Sequence, residues 1–199
     1  SDLLISATQN VVTGSSPVSL VIATGAGSAT LLDKDTPAAI RAVHGVADAP
    51  AVDIIANNAL TLFDGAAFKG ATGYIDVAAD DYLIDVAADA DNTVVVIDDA
   101  PISLTAGMRY TAIANNTLEN IDLDLIIDTP RKIATAVQVR IFHASQATPN
   151  VYIYVTADVY ISNVSPAFSY VPYATCSLAV TVYLQFPSFV YFFTLTPSC

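Results

Sequence analysis

An all-β fold is predicted for this chain: antiparallel β-sandwich units in tandem, the second incomplete. Three observations predict it. Runs rich in β-branched and aromatic residues dominate, and helical periodicity is nowhere sustained. Gly, Pro, Asn and Asp interrupt these runs about every 8 to 12 residues, the rhythm of a sandwich. The stretch "IRAVHGVADAPAVDIIA" from Ile40 returns as "VRIFHASQATPNVYIYV" from Val139, so the chain's two histidines stand at equivalent points of one motif.

Taken in order, "VVTGSSPVSLVIATGAGSATLLDKDTP" (Val11 to Pro37) lines up with "LTAGMRYTAIANNTLENIDLDLIIDTP", which ends at Pro130. Thr13-Gly14 matches Ala106-Gly107, Val21-Ile22-Ala23 matches Ala112-Ile113-Ala114, and Asp35-Thr36-Pro37 matches Asp128-Thr129-Pro130. The N-terminus therefore reads as the tail of a repeat without its head. The first motif copy follows, then turns at "NNAL" and "AADADN", a strand at "VVVID" from Val94, a turn at "TAG", and a strand at "YTAIA" from Tyr110. After "NNT", "DLDLIID" from Asp122 alternates acid with aliphatic as a half-exposed strand does. The second copy continues through "VYIYV" from Val151, "LAVTVYLQF" from Leu178 and "FVYFFTL" from Phe189. Arg41 and His44 correspond to Arg140 and His143, and Tyr74 is paired with Tyr173 at the same spacing. The organisation expected is a tail (1–37), a complete sandwich (38–130), a linker (131–136) and an incomplete sandwich (137–199).

A sandwich without its last strands exposes unpaired backbone and open core, which invites a complementary strand. The tail is the expected donor, through Leu3, Leu4, Ile5, Val11, Val18, Leu20, Ile22 and Leu31. The expected acceptor residues are Phe142, Tyr152, Tyr154, Val180, Tyr183, Phe189, Tyr191 and Phe193. Each large donor side chain contributes about 1.5 to 3 kcal/mol when fully covered. Supplied by the next chain, the tail makes a head-to-tail homopolymer; supplied by the same chain, it makes a closed monomer, an adhesive or binding module. The filament is the leading expectation. Thirteen of the eighteen aromatic residues follow residue 136, enough for both faces of a sheet that meets a partner.

Seven Lys and Arg against nineteen Asp and Glu exclude nucleic acid and anionic membrane surfaces as partners, since both attract basic patches. No apolar run approaches the roughly 18 to 20 residues of a spanning helix. "SDLLISATQN" lacks the basic and apolar regions of a secretion signal and reads as a mature start. The two cysteines, Cys176 and Cys199, offer one candidate disulfide and no zinc spacing.

"VHGVADAPAVDI" resembles the tandem module of secreted and surface prokaryotic proteins with the signature VHASPDAPAVDVYV, domain-of-unknown-function family 4397. His44, Asp48, Ala49, Pro50, Ala51, Val52 and Asp53 match in the first copy; His143, Ala144, Ser145, Pro149 and Val151 match in the second, where Ala147 and Tyr152 replace the two acids. The resemblance implies immunoglobulin-like sandwiches outside the cell and brings no established chemistry.

His44, Asp48, Pro50 and Asp53, with His143 and Pro149, are accordingly read as structural. Asp89, Asp91 and Asn92 begin like a calcium loop but lack its glycine and distal glutamate, so cations are expected to bind loosely if at all. Asn115-Asn116-Thr117 and Asn163-Val164-Ser165 are glycosylation sequons. With no nucleophile-base order, phosphate loop or paired carboxylate frame, no enzyme activity, catalytic residue, metal site or cofactor is expected.

Overall fold

The computed structural model describes residues 3–9, 18–33, 35–129, 136–154, 161, 164–177, 179–183 and 195–196. Among them the chain is all-β, with one 3-10 turn at Leu118–Asn120 and no α-helix. The strands are β1 (Leu4–Gln9), β2 (Val18–Thr24), β3 (Gly27–Leu31), β4 (Ala38–His44), β5 (Val52–Ala56), β6 (Leu60–Ala66), β7 (Ile75–Val77) and β8 (Asp81–Ala88). They continue as β9 (Asp91–Ser103), β10 (Arg109–Asn115), β11 (Asp122–Asp128), β12 (Ala136–Val139), β13 (Val151–Ile153), β14 (Phe168–Val171), β15 (Ala179–Tyr183) and β16 (Leu195–Thr196).

The middle of the chain builds two four-stranded sheets, β11-β10-β4-β7 and β6-β5-β8-β9, around one core. Alternation puts Ile40 and Ala42 of β4, and Tyr110 and Ala112 of β10, against Val52 and Ile54 of β5 and Ile84 and Val86 of β8. β4 and β10 run parallel, with Thr111 beside Arg41 and Ile113 beside Val43; the other pairings are antiparallel. Pro101 lies in β9, an edge strand, where its missing N–H need not interrupt a ladder. Asn57 and Asn58, both at positive φ (52° and 56°), close the β5–β6 hairpin, a backbone region that asparagine tolerates.

The second motif copy repeats these pairings. Val52 opposes Ala66 and Ile54 opposes Phe63, with an irregularity between; Val151 opposes Val171 and Ile153 opposes Phe168, with the same irregularity. Gly65 (φ 61°) and Lys69 (φ 64°) are matched by Tyr170 (φ 55°) and Ala174 (φ 52°). Ala38 opposes Val77 as Val137 opposes Val182. The spacing is thus 99 residues up to Ile153 and 105 from Phe168, and this corrects one sequence expectation. Tyr173 is the counterpart of Phe68, not of Tyr74: its ring meets His143 edge-on, 6.4 Å between centroids, as Phe68 meets His44 at 6.2 Å. The physical reason is an insertion of six residues between Ile153 and Phe168 relative to Ile54 and Phe63, since lengthening a connection costs little entropy.

Candidate functional site

β1, β2 and β3 form a separate three-stranded antiparallel sheet. Of the expected donor residues, Leu3, Leu4, Ile5, Val18, Leu20 and Leu31 are all exposed, from 40% for Leu20 to 66% for Leu4. Ile22 is half-buried and Val11 lies outside the described residues. Among the described residues this sheet pairs with none of β12–β16. The hairpin's register matches its proposed equivalent at a spacing of 93 residues: Leu20 opposes Leu31 and Ile22 opposes Ala29, as Ile113 opposes Asp124 and Asn115 opposes Asp122. At that spacing Val21 corresponds to Ala114, which corrects the match of Val21-Ile22-Ala23 with Ala112-Ile113-Ala114 by two residues; short apolar strand runs are alike at either offset.

β12 lies at the edge of its sheet, whose order is β12-β15-β16. Of the expected acceptor residues, Phe142 bridges to Cys176, Tyr152 stacks on Tyr170 with 4.9 Å between centroids, and Tyr154 is half-buried. Val180 opposes Val139, and Tyr183 opposes Ala136. Phe189, Tyr191 and Phe193 lie outside the described residues.

Residues of the second motif copy rest against the outer face of β4, β10 and β11, and Asp128 is the centre of that contact. Its buried carboxylate accepts from Tyr74 Oη (2.6 Å), Thr111 Oγ1 (2.5 Å) and the Arg140 guanidinium, which also donates to the Ile127 carbonyl (2.8 Å). Arg41 donates to Thr111 Oγ1 (2.8 Å), so the hydroxyl's only proton is directed at Asp128. Burial first, then the bond to Asp128, raises the Tyr74 pKa. Further along, Tyr173 Oη donates to Asn115 Oδ1 (2.5 Å), and a Cβ on Gly45 would stand 3.4 Å from that of Ala144. Burial, then Asp122 and Asp124, raises the Tyr173 pKa. Two clefts of about 440 and 490 Å³ flank the contact, one lined by Arg41 and Arg140, the other by His44 and His143. The sequence reading missed Asp128; its one signal was the repeated Asp-Thr-Pro, read as a boundary rather than a hub.

The motif residues hold loops. His44 is buried, accepts from Val46 N–H (3.2 Å) and donates through Nε2 to the Pro50 carbonyl (2.9 Å). Asp48 accepts from Leu118 N–H (3.0 Å), and buried Asp53 from Gly65 N–H (2.8 Å). His143 donates instead through Nδ1 to the Val171 carbonyl (3.2 Å), and its buried Nε2 has no hydrogen-bond partner among the described residues. Pro149 is exposed.

Asp89 and Ala90 form the β8–β9 turn, and Asp91 accepts from the Thr93 hydroxyl and N–H, which lowers its pKa. Two acidic groups, Asp53-Asp64-Asp89 and Asp85-Asp98-Asp99, each gather carboxylates within 4.8 Å, but each spends an oxygen of its buried member on a backbone N–H. The first sequon is corrected: Asn115 is fully buried and donates to Asp124 (2.7 Å), so no transferase can reach it in the folded chain. Asn163 lies outside the described residues. Cys176 is disulfide-bonded, and its expected partner Cys199 also lies outside them. No helix among the described residues is long and apolar enough to cross a membrane.

No curated protein matches the sequence. One family does match, over residues 38–154, which takes in both histidine motifs and the contact around Asp128. By that match over more than half its length, the chain belongs to the family described as domain of unknown function DUF4397.

Proposed function

We propose that this protein is a structural subunit of an extracellular filament, built head to tail from tandem immunoglobulin-like units, in which the N-terminal segment of one chain completes the second unit of the next. The observation that carries this reading is the β2–β3 hairpin, which has the register of β10–β11 while its Leu20 and Leu31 face solvent. Contiguous exposed apolar residues on a small sheet mark an interaction surface. The disulfide at Cys176 suits an oxidising, extracellular setting. Engagement of both His44 nitrogens with the backbone supports a scaffold rather than an enzyme.

The test is sedimentation and electron imaging of the purified chain beside a variant lacking residues 1–32. The full chain is expected to form thin filaments, while the variant stays small and keeps its 38–128 core folded. A full chain that stays monomeric at high concentration, with full β content, identifies a self-contained surface module instead. Long polymers in the truncated variant rule out donation.

A further inference from the structure

We infer that the acceptor is the free edge of β12 and of its continuation Arg140–His143, and that β2 of a second copy pairs in parallel with that continuation, Val18 beside Arg140 and Leu20 beside Phe142, after giving up β1. This rests on the filament reading and specifies its joint.

The first copy of the motif shows what belongs on that edge. On one side of β4, His44 N–H donates to the Gly70 carbonyl and Thr72 N–H to that of Ala42; on the other, Ala39 N–H donates to Met108 and Gly45 N–H to Ala114, flanking and joining β10. In the second copy the first side is filled in the same way: His143 N–H donates to the Thr175 carbonyl, and Ser177 N–H to that of Ile141. The opposite side has no strand among the described residues. An open edge of this kind takes an added strand by backbone pairing.

The hairpin that shares the register of β10–β11 says which strand fits. Thr111 lies beside Arg41, Ala112 beside Ala42, Ile113 beside Val43 and Ala114 beside His44. Carried through the two spacings, Val18, Ser19, Leu20 and Val21 fall beside Arg140, Ile141, Phe142 and His143. Ser19 and Val21 then occupy the inward places of Ala112 and Ala114, both buried and both small. Leu20 takes the place of Ile113, an apolar residue on the outer, unit-facing side. Val18 offers Arg140 no hydroxyl such as Thr111 gives Arg41, and Arg140 needs none, being committed to Asp128.

In the single chain that edge of β2 is occupied. β10 has β11 on one side and β4 on the other; β2 has β3 on the first side and β1 on the second, from Leu4 opposite Ala23 to Gln9 opposite Val18. β1 buries little, since Leu4 and Ile5 are 66% and 56% exposed, so its hold is mainly a ladder of backbone bonds with the Thr8–Ser19 contact, and an added strand on that edge of β2 supplies backbone bonds of the same kind. β1 is therefore a replaceable cover over the donor edge.

A side-chain-resolution density map of the filaments tests the register, and assembly kinetics of a variant lacking residues 1–9 tests the cover. The map is expected to show β2 of one chain parallel to Arg140–His143 of the next with Leu20 beside Phe142, and the variant to assemble with a shortened lag. Filaments whose β2 is antiparallel, shifted along β12, or absent from its edge overturn the joint and leave the filament standing. A variant without β1 that no longer assembles shows β1 to be part of the joint and overturns the exchange. A full chain that forms no filament at all removes both this inference and the reading beneath it.

Discussion

Replacing Asp128 by asparagine preserves its shape and removes its charge. In the folded chain one carboxylate receives the Tyr74 hydroxyl, the Thr111 hydroxyl and the Arg140 guanidinium, and it is 7% exposed. Asparagine has one acceptor oxygen, so its amide must turn an N–H toward at least one of these donors. Thr111 cannot reverse its proton because its oxygen already receives Arg41. Breaking a buried ion pair costs about 3 to 5 kcal/mol, but Arg140 keeps 21% exposure and recovers some hydration, which places the loss near 3 kcal/mol. For a chain of this length that is a fall in melting temperature of roughly 6 to 12 °C. Thermal and urea unfolding measure it, and a double-mutant cycle with Arg140→Ala isolates the contact, with a coupling of about 1 to 2 kcal/mol expected. A loss below about 1 kcal/mol, or additive single variants, would refute Asp128 as the hub between the two motif copies.

Tyr74→Phe removes one donor to Asp128 and should cost about 1 to 2 kcal/mol at neutral pH. The raised Tyr74 pKa means that the folded state favours the protonated phenol, so this contribution is whole below about pH 10 and is lost as pH rises through the folded value. The stability gap between wild type and variant, followed from pH 7 to 11, should therefore narrow; a constant gap counts against the assignment. At Tyr170, where φ is 55°, Gly should be more stable than Ala by about 1 kcal/mol, both variants having lost the Tyr152 ring; equal denaturant midpoints would remove the strain. Millimolar calcium should move the melting temperature by less than about 1 °C, whereas occupancy a hundredfold over Kd would add about 2.7 kcal/mol; a rise of several degrees would make the Asp53 or Asp85 group a true site.

The duplication was legible because the motif's residues act locally: His44 reaches Pro50 and Asp53 reaches Gly65, so sequence neighbours carry the pattern. In the tail, Gly14 and the Asp-Thr-Pro at 35–37 mark a 93-residue spacing to Gly107 and residues 128–130, whereas the apolar run at Val21-Ile22-Ala23 does not fix an offset, because one short aliphatic strand resembles another two residues along. Past Ile153 the alignment went astray because a connection lengthens without disturbing a core, and among so many tyrosines one always falls at the expected interval. Asp128 was hidden differently. Its partners Tyr74, Thr111 and Arg140 converge from three separate stretches of chain, and only the folded sheet brings them together.

Where the two motif copies touch, positions 99 residues apart meet each other: Arg41 and Arg140 line one cleft, and Gly45 lies against Ala144. Such a relation is head to tail rather than two-fold, and a head-to-tail relation whose rotation does not close a ring has no natural end. In the filament proposed above, each added copy would present a fresh face like the one just covered, so the material would carry a direction, with two chemically different tips. The length of such an open series would be governed by supply, breakage or a dedicated terminator.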